Sequence, residues 1–125
     1  MTTIEELFAG QDEARQLFDA VQQVVQAIGP VELKVSKSQV AFYHRRAFAW
    51  VWRPGQYLSG KTAPLVLTIG LRRRDGSQRW KEVVEPYPGR FTHHLELYAV
   101  LDVDDEVRGW LQEAYHSAGL GKAHR

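Results

Sequence analysis

The spacing of hydrophobic residues changes from helical to alternating within residues 27–55, AIGPVELKVSKSQVAFYHRRAFAWVWRPG. This change is the strongest indication of the fold. Gly29-Pro30 predicts the end of a helix, since glycine often follows a helix and proline cannot continue one. From Val31 to Ser36 every second residue is apolar, which is typical of a half-buried strand. Gln39–His44 and Ala47–Arg53 then predict a hairpin that turns at Arg45-Arg46.

Helical patterns lie on the N-terminal side of this stretch. Apolar residues recur at helical spacing from Ala14 to Ile28 and predict a long helix capped by Asp12. Thr3 and Glu6 have the spacing of a capping box and predict a short helix before it, Ile4 to Ala9.

Further strands and a last helix are predicted on the C-terminal side. The predicted elements are strands at Pro64–Arg73, Arg79–Val84 and Phe91–Tyr98, and a final helix capped by Asp102 or Asp104. Asp75-Gly76 is typical of a tight turn and predicts that the first two of these strands form a hairpin.

This order of elements predicts the fold class. The connections between the predicted strands are short, and short connections join antiparallel neighbours. We therefore expect a two-layer α+β fold, in which an antiparallel sheet of five to six strands has the N- and C-terminal helices packed on one face. The length of 125 residues predicts a single domain, residues 1–125.

Charge is distributed unevenly along the chain. The formal net charge is only +1, but residues 31–94 contain twelve Lys and Arg against four Asp and Glu. Three of the four Trp also lie in this basic middle segment, between two acidic ends. Such a segment is typical of a surface that binds anions or nucleic acid, and equally of a basic sheet flanked by acidic helices.

The composition excludes several kinds of site. There is no cysteine, so disulfides, thiolate catalysis and cysteine-ligated zinc are excluded. The N-terminus has no signal-peptide pattern, and no apolar stretch approaches the roughly 20 residues that a membrane span needs. We expect a cytoplasmic protein with no membrane partner.

The strand Ala47–Trp52 is the best indication of a binding surface. Alternation places Phe48, Trp50 and Trp52 on one face, and the small residues Ala47, Ala49 and Val51 on the other. Small residues suit close packing against a helix, which would leave the large aromatic side chains as an open platform or a pocket wall. The alternative is that the aromatic side chains are buried beneath the helices.

Charged and polar residues complete this candidate site. Arg72 and Lys81 would supply positive charge, and His94 and Glu96 would orient a ligand. Lys37, in a tight turn, is a further candidate for holding an anion. The run Arg72-Arg73-Arg74 is also explained as a charged hairpin tip that prevents edge pairing.

A metal site is the weaker interpretation of the histidines. His94 and Glu96 share a strand face, and a third ligand would have to come from elsewhere, such as His44. We therefore expect a hydrogen-bonded sheet histidine, no metal and no cofactor.

Several segments carry a family resemblance. They are Leu7-Phe8, the helix ending Ile28-Gly29-Pro30, Lys37-Ser38-Gln39-Val40-Ala41-Phe42, Phe48-Ala49-Trp50-Val51 and the terminal helix near Tyr115. Together they resemble domain-of-unknown-function family 5655 over most of the chain. The resemblance implies a compact cytoplasmic bacterial α+β domain and includes no catalytic signature.

Three functional hypotheses follow. The first is a non-catalytic binding domain that holds a small anionic or planar ligand on the aromatic and basic sheet face, in a pocket lined by at least two of Trp50, Trp52, His94 and Glu96. The second is a nucleic-acid-associated domain that stacks bases on the sheet. The third is a homodimer formed through the aromatic face. An enzyme ranks below these, because the sequence contains no catalytic motif.

Overall fold

A six-stranded sheet and two long helices make up the computed structural model, which describes residues 1–120. The helices are α1 (Ile4–Leu7), α2 (Asp12–Ile28) and α3 (Asp105–Gly119). The strands are β1 (Glu32–Val35), β2 (Gln39–His44), β3 (Arg46–Trp52), β4 (Leu65–Leu71), β5 (Glu82–Tyr87) and β6 (Arg90–Leu97). Short 3-10 helices occupy Pro54–Gln56 and Val100–Asp102.

The strands form one antiparallel sheet in the order β1-β2-β3-β4-β6-β5. Ala49 pairs with Phe42 on one side and Ile69 on the other, so apolar side chains form continuous rows across one face. Helices α2 and α3 pack on this face and share one hydrophobic core with it. The predicted α+β class, with the long helices on one face of an antiparallel sheet, is confirmed. We call the opposite face the outer face.

The predicted hairpin at Asp75-Gly76 is wrong, because β4 pairs with β6 and not with β5. Strand β5 is mostly exposed and contains Pro86, which argues against a central position because proline removes a hydrogen bond from the ladder. β6 instead supplies buried Leu95 and Leu97 to the core and takes the place beside β4. The actual hairpin joins β5 to β6 at Pro88-Gly89, where Gly89 has a φ of +76°.

Residues 72–81 therefore form a long connection to the sheet edge. The Nε1 of Trp80 donates to Asp75 Oδ2 at 2.9 Å, and the Trp80 ring lies 4.1 Å from the ring of Trp110 in α3. The burial of Trp80 against α3 holds this connection against the helix layer.

A β-bulge changes the alternation at the start of β3. Phe42 pairs with Ala49 and Tyr43 pairs with Ala47, so Phe48 is an extra residue between the two pairs. Phe48 is consequently turned toward the helices, where its ring meets Tyr115 edge-on at 5.5 Å. The prediction that Phe48 shares a face with Trp50, and Ala47 with Ala49, is therefore wrong.

The predicted caps of α1 and α3 are confirmed, and the predicted cap of α2 is wrong. Thr3 and Glu6 form the predicted capping box. Asp104 caps α3 by accepting from the backbone N–H of Val107 at 3.1 Å. Asp12 is the first residue of α2 and not its cap, a position that Gln11 takes. Within residues 1–120, the helices include no candidate for a membrane span.

Candidate functional site

Trp50 and Trp52 both lie on the outer face of the sheet, partly exposed. The alternative in which they are buried beneath the helices is therefore wrong. The Nε1 of Trp52 donates to Thr68 Oγ1 at 3.0 Å, and Thr68 Oγ1 lies 2.8 Å from His94 Nδ1. This hydrogen-bonded chain fixes the Trp52 ring against the sheet.

The surroundings of His94 favour the neutral form of its ring. Burial lowers the pKa of His94, and the negative charge of Glu82, its partner across β5 and β6, opposes that shift. His44 lies on the other side of the sheet, where its ring stacks on Tyr115 at 3.8 Å. His44 thus cannot join His94 and Glu96 around one ion, and no group of three metal-binding side chains occurs within residues 1–120.

Lys81, Glu96 and Lys37 lie away from Trp50. Lys81 Nζ forms a 3.0 Å ion pair with Glu96 Oε2, and this hydrogen bond raises the pKa of Lys81. Lys37 is exposed in the turn between β1 and β2, at the sheet end where β3 finishes. None of these three residues lines the pocket that contains Trp50 and Arg72.

A pocket of about 350 Å³ opens at the opposite end of the sheet, where β3 begins and β4 ends. We call it the end pocket. Its apolar wall is formed by Ala47, Phe48, Trp50, Gly70, Leu71, Pro86, Phe91, Ala114 and Ala118. Its polar residues are Arg46, Arg72, Arg90, Tyr87, Thr92 and Ser117. The predicted pocket with two of Trp50, Trp52, His94 and Glu96 does not match it, because only Trp50 lines the end pocket.

Gly70 leaves space beside Trp50. A Cβ built at Gly70 would lie 3.7 Å from Trp50 Cζ3 and 3.5 Å from the carbonyl oxygen of Phe48, both ordinary contact distances. A larger side chain at this position would extend into the end pocket. Gly70 therefore keeps the pocket open next to the indole ring.

Three arginines line the end pocket. Arg46 begins β3, Arg90 begins β6, and Arg72 directly follows β4. Arg72 donates to the carbonyl oxygen of Ser117 at 3.3 Å. Within residues 1–120, neither Arg46 nor Arg90 forms an ion pair with an acidic residue. Burial lowers the pKa of Arg46, and so do the nearby positive charges of Arg90, Arg72 and Arg45. The pocket is therefore electropositive.

Other arginines of the basic segment have a structural role instead. Arg73 forms ion pairs with Asp75 and Glu113, at 2.9 and 2.8 Å. Arg79 pairs with Asp104 and Glu106, at 3.0 and 2.9 Å. These pairs join the 72–81 connection to α3, so part of the excess positive charge in the sequence is neutralised by the acidic helix.

Sequence reasoning missed Arg46, Arg90 and Gly70 as site residues. Arg46 follows the β2–β3 turn, and Arg90 follows the turn at Pro88-Gly89. In an antiparallel sheet these two turns come to the same end once β6 is placed beside β4. The position of both arginines directly after turns is visible in the sequence. Their proximity follows only when the strand order is known.

Comparison with curated proteins and with solved structures found no significant match. The model of a family described as "Domain of unknown function (DUF5655)" matches residues 4–118, which is nearly the whole chain. The resemblance seen in the sequence is thereby confirmed, and the chain belongs to this family.

Proposed function

We propose that this protein is a non-catalytic domain that binds a small anionic ligand in the end pocket. Arg46 and Arg90 would bind the anionic group, and the ring of Trp50 would pack against the body of the ligand. The observation that carries the proposal is the presence of both arginines at one pocket, without acidic partners in residues 1–120.

The electrostatics support an anion at this position. Like charges repel, so gathering arginines around one partly buried pocket is unfavourable unless a negative charge compensates them. A guanidinium group binds carboxylate or phosphate through two parallel hydrogen bonds, and such charge-assisted bonds are stronger than neutral ones. A bound anion would thus offset both the burial and the repulsion that lower the pKa of Arg46.

Calorimetric titration with phenyl phosphate tests the proposal. Hydrogen bonds to a charged group contribute about 1.5–3 kcal/mol, so Arg46→Gln and Arg90→Gln should each weaken binding by about 10- to 100-fold. Arg108→Gln is the matched control, because Arg108 is exposed on α3 and does not line the pocket. Equal affinity in all four proteins would contradict the proposal, as would no binding at millimolar concentration.

The other hypotheses stay predictions. Binding of nucleic acid is supported by the basic segment, and oligonucleotide affinity that falls steeply with salt would demonstrate it. A homodimer is supported by partly exposed Trp50 and Trp52 on the outer face, and light scattering at micromolar concentration tests it. A cytoplasmic location and a bacterial origin stay predictions from the sequence and its family resemblance.

A further inference from the structure

We infer that the ligand of the end pocket is an amphiphilic anion, with an aryl or alkyl body and a single carboxylate or phosphate group. This inference rests on the proposed function and adds the chemical class of the ligand. It excludes sugar phosphates and nucleotides, whose bodies carry many hydrogen-bonding groups.

Charged and apolar side chains differ in their exposure within the pocket. The side chains of Arg46, Arg72 and Arg90 come from the ends of three strands, and Arg72 and Arg90 are exposed. Trp50 and Phe48 of β3, together with Ala114 and Ala118 of α3, present apolar surface beyond them. A ligand that matches this arrangement has a charged group at one end and hydrocarbon at the other.

Some polar groups in the pocket wall already have hydrogen-bond partners. The hydroxyl of Thr92 donates to the carbonyl oxygen of Val84 at 3.4 Å. The carbonyl oxygen of Ser117 accepts from Arg72 at 3.3 Å. Apart from the three arginines, the remaining polar side chains of the pocket are those of Ser117 and Tyr87, and Tyr87 is 67% exposed. A sugar or a nucleobase placed against this wall would lose hydrogen bonds to water without replacing them, which is unfavourable.

Gly70 has no side chain, and this leaves space in the pocket. The missing side chain leaves room next to the Trp50 ring, and an aryl or alkyl group would fill it with apolar contact. The cavity of about 350 Å³ lies at the lower end of the range of roughly 300–1,000 Å³ for small-molecule sites. The pocket therefore suits one short chain or one aromatic ring.

Two series of probes test the inference by calorimetry. In the first series, butanoate, hexanoate and octanoate, the dissociation constant should fall about fourfold for each added methylene until the pocket is filled. In the second series, phenyl phosphate should bind at least tenfold more tightly than glucose 6-phosphate and inorganic phosphate. Benzoate against phenyl phosphate distinguishes a carboxylate ligand from a phosphate ligand, and hexanol against hexanoate measures the contribution of the charge.

Variants show whether the probes bind in the end pocket. Gly70→Leu should abolish octanoate binding by filling the space beside Trp50, while circular dichroism shows that the variant is folded. Trp52→Phe is the matched control on the outer face, and it should bind octanoate like the natural protein. Equal loss in both variants would place octanoate on the open sheet face and would overturn the inference.

The outcomes also separate this inference from the proposed function. If glucose 6-phosphate binds as tightly as phenyl phosphate, and Arg46→Gln weakens both equally, the pocket binds anions but the amphiphilic class is wrong. If no probe of either series binds, the proposed function itself is wrong. If hexanol binds as tightly as hexanoate, the arginines do not contribute and both proposals are wrong.

Discussion

The hydroxyl of Tyr115 in α3 donates a 2.8 Å hydrogen bond to the carbonyl oxygen of Pro30, just after α2. A Cβ built at the neighbouring Gly29 would lie only 2.5 Å from that hydroxyl oxygen. Gly29 has a φ of 167°, an extended conformation that any residue adopts, so the close approach of Tyr115 is the reason for glycine here. This contact joins the ends of the two long helices over the sheet.

A double-mutant cycle on Gly29 and Tyr115 tests this relationship. Gly29→Ala should lower the free energy of unfolding by about 1–3 kcal/mol through overpacking, and Tyr115→Phe by about 1 kcal/mol through the lost hydrogen bond. In the double variant the hydroxyl is gone, so alanine at position 29 should cost less than it does alone. Urea denaturation of the four proteins measures the coupling, and strictly additive effects would contradict the proposed clash.

Trp80 provides a test of the 72–81 connection. Trp80→Ala should lower the free energy of unfolding by about 3–5 kcal/mol, because it removes a buried ring that packs on Trp110. Trp80→Phe keeps an aromatic ring and loses the Nε1 hydrogen bond to Asp75, so its cost should be clearly smaller. Equal midpoints of urea denaturation for Trp80→Ala and the natural protein would show that this connection does not stabilise the fold.

His93 should make stability depend on pH. His93 Nε2 accepts a 3.0 Å hydrogen bond from the backbone N–H of Asp75, so this nitrogen carries no proton in the fold. Burial lowers the pKa of His93 below its ordinary value of 6.5. As pH falls below about 6.5, the unfolded chain binds protons that the folded chain does not, and stability decreases.

Urea denaturation at pH 8 and at pH 5.5 measures this dependence. His93→Gln should reduce the loss of stability between the two values, even if the variant is less stable at both. His94 has a pKa lowered in the same direction, so His94→Gln should remove a further part of the loss. If the variant that combines His93→Gln with His94→Gln loses as much stability between pH 8 and pH 5.5 as the natural protein, these histidines do not cause the pH dependence.

Replacing Arg45 with glycine should stabilise the fold and weaken anion binding. It forms the β2–β3 turn with a φ of +69°, a conformation that costs a residue with a side chain about 1 kcal/mol more than glycine. Arg45→Gly should therefore raise the free energy of unfolding by about that amount. Because the charge of Arg45 acts on Arg46, we expect the same variant to bind phenyl phosphate more weakly. A stabilised variant with unchanged affinity would limit the anion site to the other arginines.

Local sequence patterns are sufficient to predict the helices, most strands and the two layers. Helix α2 and strands β1 to β3 were predicted from periodicity, because a helix repeats every 3.6 residues and a strand every two. The placement of Ala49 and Val51 under the helices, with Trp50 and Trp52 opposite, follows from the same alternation. Alternation also makes Trp50 a candidate site residue, and positive charge makes Arg72 one.

The contacts between distant segments depend on the packing of the whole chain. Asp75-Gly76 has the local chemistry of a hairpin turn, yet burial of Trp80 against Trp110 and the apolar rows of β6 placed β6 beside β4. That strand order brings Arg90 to the same sheet end as Arg46 and Arg72, and the bulge at Phe48 turns its ring toward Tyr115. Turn chemistry and alternation are local, whereas strand order depends on how much apolar surface the whole chain buries, and this the local pattern does not contain.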